Sequence, residues 1–319
     1  MSKLKRSVSF SDPEHDRQRG QILVLFTLAL VAMIAMVGLI LDGGSAYAQR
    51  RGEQNAADLA ALAGANDYLL NNNSASAIAR AQAVAAQNGY KDGAGGVTVG
   101  VAIDTSNGAS VTVNIGAPHQ NNFASIVGMS TWNVATTATA LTGFPDTASG
   151  AAPMIFSIDA FGVGGQPLAA YGNPNSPFGF GGCGDAPQAA TDFAWTDYAA
   201  TSNVNTSIVR NIIDGSVVIT KTVQFGTYIG QHNQGCHTAL YSPVDTYLDG
   251  TNVPVPVVDH NGNFQGWATF HVVSAQGGSS KVINGYFVSP FVNQLLTVGG
   301  CAAGSCPRYL GSYVLKLTN

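Results

Sequence analysis

Twenty consecutive residues, Ile22–Leu41, carry no charge. As a helix rising 1.5 Å per residue, they span about 30 Å, the thickness of a bilayer's hydrocarbon core. Leu, Ile, Val, Ala, Met and Phe fill the run, interrupted only by Thr27 and Gly38. A core helix of a water-soluble domain shows a polar face, and this segment has none. Two readings remain. One is a retained anchor. The other is a signal peptide cut after Ala46-Tyr47-Ala48, which has the small-x-small form of a cleavage site. The length favours the anchor, because apolar cores of signal peptides run to roughly 7–15 residues. Lys3, Lys5, Arg6, Arg17 and Arg19 precede the run, whereas only Arg50 and Arg51 follow closely. Positive residues favour the cytoplasmic side, so the N-terminus is expected inside and the bulk of the chain outside.

The remainder is long enough for roughly two domains. From Gly89 onward there are six basic and eleven acidic residues, which argues against a nucleic-acid partner. All four cysteines, Cys183, Cys236, Cys301 and Cys306, lie on the expected outer side. An even count in an oxidising compartment favours disulfides. Of the three possible pairings, Cys183–Cys236 with Cys301–Cys306 is preferred.

Residues 1–19 read as a short disordered cytoplasmic tail and 20–42 as the transmembrane helix. The stretch Ala46–Leu70 is rich in good helix formers, so the helix continues or restarts there. Small residues recur four apart at Ala56, Ala60 and Gly64, and again at Ala57, Ala61 and Ala65. Such rows admit a second helix closely, although alanine is also simply the best helix former. Asn71-Asn72-Asn73 breaks the helix, and Ser74 is placed to cap the next one, Ala75–Gln87. The period then changes to two. Val97–Ile103 and Ser110–Ile115, flanking Asp104-Thr105-Ser106-Asn107-Gly108, predict a β-hairpin. A short helix over Asn122–Met129 and a strand over Trp132–Leu141 complete a small α+β module, residues 43–143. Residues 144–152 read as a linker. Residues 153–319 read as mostly β, a sandwich or small barrel, with strands at Met154–Asp159, Ser216–Gly226, Val253–Asp259, Phe264–Ser274, Val282–Pro290 and Tyr313–Leu317. Between the first two, Gly162–Gly184 reads as a long loop.

Several stretches line up in order. They are Arg19-Gly20-Gln21, the apolar span, Asp42-Gly43-Gly44, Ala48-Gln49-Arg50-Arg51, and Gln54-Asn55-Ala56-Ala57-Asp58-Leu59-Ala60-Ala61-Leu62-Ala63-Gly64-Ala65. This series resembles the N-terminal region of TadG-like proteins of the tight-adherence (Tad, or Flp) pilus-assembly group. The hairpin, short helix and Ala/Thr strand are similar to that group's small periplasmic module. The stretch Val253–Asp259 with Gly266–Phe270 looks like the C-terminal β part of some of its members. The resemblance implies a bacterial single-pass inner-membrane protein that assists assembly or anchoring of an adhesive pilus. Its partners would be other pilus-assembly proteins, with a surface ligand or glycan as a further class. Family members cut by a prepilin peptidase carry Glu five residues after the cleavage Gly. Leu25 stands there relative to Gly20, which argues against cleavage.

No chain-local catalytic motif is present: no HExxH, no G-x-S-x-G and no P-loop. The cluster Gly162-Val163-Gly164-Gly165 lacks the dinucleotide-binding spacing. His232, Cys236 and His237 are close in sequence, yet zinc needs a fourth ligand and free thiolates. Asp259-His260-Asn261-Gly262-Asn263 opens like a calcium loop, but Phe264 and Phe270 stand where an EF-hand needs Gly and Glu, so a tight turn is expected. His271 alternates with apolar residues and reads as a packed or edge histidine. The expected protein is therefore not an enzyme, has no cofactor, and plays a structural and interaction role, with Ala56, Ala60 and Gly64 as candidate helix-packing residues. The second reading is an anchored adhesin or ligand-binding β module with Phe178, Phe180, Trp195, Tyr198 and Trp267 near its loops. A periplasmic hydrolase is a third class.

Overall fold

The computed structural model describes residues 13–105, 108–181, 186–198, 204–229, 236–298 and 308–318. A single helix, α1 (Pro13–Asn71), runs without a break through the apolar run and into the Ala-rich segment. Its 59 residues make a rod of about 90 Å. Residues 13–19, expected as part of a disordered tail, are its first turns. From Ile22 on it is long and apolar enough to cross a membrane, and an 18-residue window of it has a mean hydropathy of 2.9. The one hydroxyl in the apolar run, that of Thr27, donates to Leu23 O at 2.8 Å. It therefore needs no partner from outside the helix.

The helix ends where Asn72 adopts φ +48°. Asparagine tolerates this left-handed conformation better than other side chains. The following helix, α2 (Ser74–Gln87), is capped by Asn73 rather than by Ser74. The Asn73 side-chain oxygen accepts Ala75 N at 2.9 Å and Ser76 N at 3.2 Å. On α2, Ala77, Ala81 and Ala85 are fully buried at a four-residue spacing.

The strands, in chain order, are β1 (Thr98–Asp104), β2 (Ala109–Gln120), β3 (Thr131–Gly143), β4 (Thr147–Ser149), β5 (Met154–Ser157), β6 (Phe178–Gly181), β7 (Phe193–Trp195), β8 (Thr220–Thr222), β9 (Asn252–Val258), β10 (Phe264–Gln276), β11 (Val282–Phe287), β12 (Phe291–Val292), β13 (Leu296–Thr297) and β14 (Ser312–Leu317). Two short helices, α3 (Thr206–Ile213) and α4 (Tyr241–Tyr247), interrupt the β-rich half.

The hairpin forms as expected, with Val99 opposite Ile115 and Val101 opposite Val113; residues 106 and 107 of its turn lie outside the described residues. Strand β2 alternates strictly. Val111, Val113 and Ile115 are buried against the helices, and the residues between them face outward. The β2–β3 connection holds a 3₁₀ turn, Ala124–Val127, shorter than the expected helix over 122–129.

Two boundaries differ from the sequence reading. The last strand, β14, pairs antiparallel with β3 (Leu315 opposite Thr142, Leu317 opposite Ala140), so the chain end returns to the N-terminal module's sheet. The stretch 144–152 contains β4, which pairs with β8 and β13, and Ala148 and Ala151 are fully buried. Its small residues pack a third, three-stranded sheet; their composition is that of a linker, but their environment is a core.

The β-rich half is built on a six-stranded sheet in the order β6-β11-β10-β9-β5-β7. It curls far enough for its two edges to meet: Gly181 N, at the end of β6, donates to Thr191 O just before β7 at 3.0 Å. Phe156, Phe180, Phe193, Phe270 and Phe287 fill the interior. Ring centroids from Phe156 lie at 4.7 Å (Phe270), 5.2 Å (Phe287) and 5.3 Å (Phe180). Strand β6 thus comes from inside the segment expected as a long loop. Its sequence, FGFG, was masked by glycine, but Phe180 is wholly buried. The expected strand over Ser216–Gly226 is reduced to β8.

Candidate functional site

One face of α1 carries a line of polar residues at helical spacing: Asp42, Ser45, Gln49 and Glu53. Residues three and four apart share a helix face, so all four point the same way. They point at β2 and the β2–β3 loop, and Asp42 and Glu53 are completely buried.

Asp42 is an acceptor for three consecutive backbone amides. Its Oδ1 accepts Asn122 N at 2.9 Å, and its Oδ2 accepts Phe123 N at 3.0 Å and Ala124 N at 2.7 Å. The carboxylate therefore closes the start of the 3₁₀ turn from a different element. One turn earlier, Gly38 lies under the same loop. A Cβ placed on Gly38 would fall 2.6 Å from Phe123 Cβ, so only glycine admits this approach. By contrast, Gly43 and Gly44 have nothing within 4 Å of such a Cβ.

His119, at the end of β2, joins the next two polar residues. Its Nδ1 lies 2.7 Å from Gln49 Oε1 and its Nε2 lies 3.1 Å from Ser45 Oγ. Gln49 Nε2 donates to Glu53 Oε1 at 2.8 Å. That donation fixes the amide orientation, so Nδ1–H of His119 must donate to the Gln49 oxygen. Ser45 Oγ is also 2.9 Å from Asp42 O. Burial raises the Glu53 carboxyl above the ordinary range, partly offset by the Gln49 donor and by His119. Its Oε2 is buried without a hydrogen-bond partner. Tyr90 crosses the same level, with its hydroxyl 3.2 Å from where a Gly52 Cβ would be.

Below this polar stretch the line continues as Ala56, Ala60 and Gly64. Ala56 and Ala60 are buried in the module's own core, with Ala81, Ala85 and Val113. A Cβ on Gly64 would meet Ala77 O, Ala81 Cβ and a Val111 methyl, each at 3.1 Å. The second helix admitted by the small residues is thus α2 of the same chain. Gln54 ties the flank, with Nε2 donating to Thr137 O at 3.2 Å. The arrangement holds α1 at one rotation and one height against the sheet. Its contacts are those of a clamp between helix and sheet.

The other sequence candidates fall elsewhere. Phe180, Trp195, Tyr198 and Trp267 are buried, and Phe178 packs against the aromatic core; they fill the interior and form no ligand platform. Asp259 spends its oxygens on its own turn, accepting Asn261 N and Asn263 N, both at 2.9 Å, with Gly262 at φ +78°. His271 Nδ1 lies 2.8 Å from Asn252 Oδ1, beside the ring of Tyr286. His237 Nδ1 meets Thr206 Oγ1 at 2.7 Å, and His232 lies outside the described residues. Cys236 is disulfide-bonded, whereas Cys183, Cys301 and Cys306 lie outside the described residues. Among the described residues no group of three His, Cys, Asp or Glu side chains could hold a metal ion.

Sequence reasoning singled out Asp42 and the small-residue rows, but not Ser45, Gln49, Glu53 or His119. The available signal was the spacing 42, 45, 49, 53, which runs in phase into 56, 60 and 64.

No curated protein and no solved structure matches the chain. Residues 20–67, which hold the apolar run, the whole polar line and the small-residue rows, match the Tad family, described as Flp pilus-assembly TadE/G-like.

Proposed function

We propose that this protein is a membrane-anchored extracytoplasmic component of Tad/Flp-type pilus assembly with a structural, non-catalytic role. The observation that carries the reading is the double character of the family-matched segment. Its first half exposes apolar side chains on every side, from Ile22 (66 % exposed) to Leu41 (53 %), except at Gly38. Its second half is locked to a folded module through Asp42, Gln49 and the alanine rows. In this reading the helix sits in the bacterial inner membrane with its N-terminus in the cytoplasm. The module and β-rich half lie in the periplasm or at the surface. In this reading the anchor is retained, which is supported by the unbroken helix through Ala48 and by Ser45 and Gln49, on either side of it, meeting the same imidazole. Disulfides Cys183–Cys236 and Cys301–Cys306 staple the β-rich half. Other pilus-assembly proteins are the partners. The adhesin reading loses the aromatic residues that supported it, since they are core.

The test has two arms in the source bacterium. The N-terminus and intact mass of the membrane-fraction protein should show residues upstream of Gly20 and resistance to salt and alkaline extraction. Deletion of the gene should abolish Flp-type fibres, and the intact gene should restore them. Normal fibres in the deletion strain would refute the assembly role, and a start at Gln49 would refute the anchor.

A further inference from the structure

In the β2–β3 loop, residues 121–130, the large apolar side chains of Phe123 (39 %), Ile126 (80 %) and Met129 (54 %) are exposed beside the helix. No charged residue occurs between Gln120 and Pro145. The height of this loop is set by its contact with Gly38, which lies inside the uncharged run and three residues before its end. On an upright helix that is about 5 Å inside the end of the apolar span. Seven of the loop's ten backbone N–H groups have partners within the protein, which lowers the cost of entering a dry environment. Asp42 takes the amides of Asn122, Phe123 and Ala124. Asn121 N donates to Ser130 O, Ile126 N to Phe123 O, Gly128 N to Ser125 O and Met129 N to Ala124 O. The Asn121 side chain donates to Met129 O at 2.9 Å and the Ser125 hydroxyl to Asn122 O at 2.8 Å.

We infer that this loop is a second membrane-contacting element, in which Phe123, Ile126 and Met129 lie among phospholipid acyl chains at the headgroup boundary of the outer leaflet. Apolar side chains entering that boundary gain burial without crossing the bilayer. A second contact beside the helix fixes the tilt of the module over the membrane, which one helix alone would leave free to rotate. The inference rests on the anchor reading above.

The test uses full-length protein in phosphatidylethanolamine/phosphatidylglycerol vesicles containing acyl-chain-brominated phosphatidylcholine. Trp132→Phe removes the local indole, leaving Trp195 and Trp267, both buried in the β-rich half, as background. On that background Ile126→Trp, or Met129→Trp, should lose fluorescence to the bromolipid and emit at shorter wavelength. Leu30→Trp in the span should be quenched as well, and Val163→Trp, fully exposed in the β-rich half, should not. Quenching at 30 without quenching at 126 or 129 overturns the loop inference and leaves the anchor standing. Absence of quenching at 30, 126 and 129 overturns both. Equal quenching at 163 and 126 shows unspecific adsorption and also overturns the loop inference.

Discussion

Asp42 and Ala124 are eighty-two residues apart, yet the Asp42 carboxylate accepts the Ala124 amide at 2.7 Å, together with the two amides before it. The acid that follows the apolar span is thus an N-terminal cap for a turn on another element. Hydrogen bonds to a charged acceptor contribute about 1.5–3 kcal/mol each, more than neutral ones. Asp42→Asn keeps the shape, removes the charge and turns an amide toward backbone donors. It should destabilise the loop by about 2–3 kcal/mol. Hydrogen exchange at Asn122, Phe123 and Ala124 is the check, and unchanged protection would remove the capping role.

Gly38 and Phe123 form the second constraint. Gly38→Val places a branched Cβ where Phe123 Cβ already lies. Overpacking of this kind costs about 1–3 kcal/mol, and here it should lift the loop from the helix. Limited proteolysis within 121–130 should become faster. A compensating Phe123→Gly should restore resistance, whereas a lack of rescue would place the strain elsewhere.

Ala60→Leu bears on who occupies the small-residue face. Ala60 is completely buried within its own module. Leucine there should lower the melting midpoint of the detergent-solubilised protein by the equivalent of about 1–3 kcal/mol or more. A face reserved for another protein's helix would instead leave the isolated chain's stability unchanged.

Glu53 predicts a pH dependence. Burial raises its carboxyl above the ordinary glutamate value, so the folded state holds the proton more tightly than the unfolded chain. The associated stability is full below the unfolded value of about 4.5 and is lost as pH rises through the folded value. Melting temperature measured from pH 4 to 7 should fall along this limb, and Glu53→Gln should flatten it. An identical slope in the variant would assign the dependence to another group.

Phe156 touches Phe180, Phe193, Phe270 and Phe287 at the centre of the curled sheet. Phe156→Ala should cost about 3–5 kcal/mol, the range for a large-to-small change in a close-packed core. Loss of near-ultraviolet dichroism and a lowered midpoint are the readouts. A small effect would mean that the aromatic cluster is loosely packed.

The sequence alone determined what local periodicity and composition control. Twenty uncharged residues dictate an apolar helix whatever follows, and Val111, Val113 and Ile115 alternate because a half-buried strand demands it. The turn at Asn261-Gly262 is likewise local, fixed by Asp259 reaching its own backbone. Tertiary structure decided whatever depends on a partner distant in sequence. Phe178-Gly179-Phe180-Gly181 carries a loop's composition and becomes an edge strand because β11 offers hydrogen bonds and the core offers Phe180 a place. The 144–152 stretch carries a linker's composition and is buried because β8 and β13 flank it. At the clamp, the spacing 42, 45, 49, 53 was visible, but its meaning was not. A polar stripe on a helix is ordinarily a solvated face, and only the approach of His119 and the β2–β3 loop gives Asp42 and Gln49 partners that are distant in sequence.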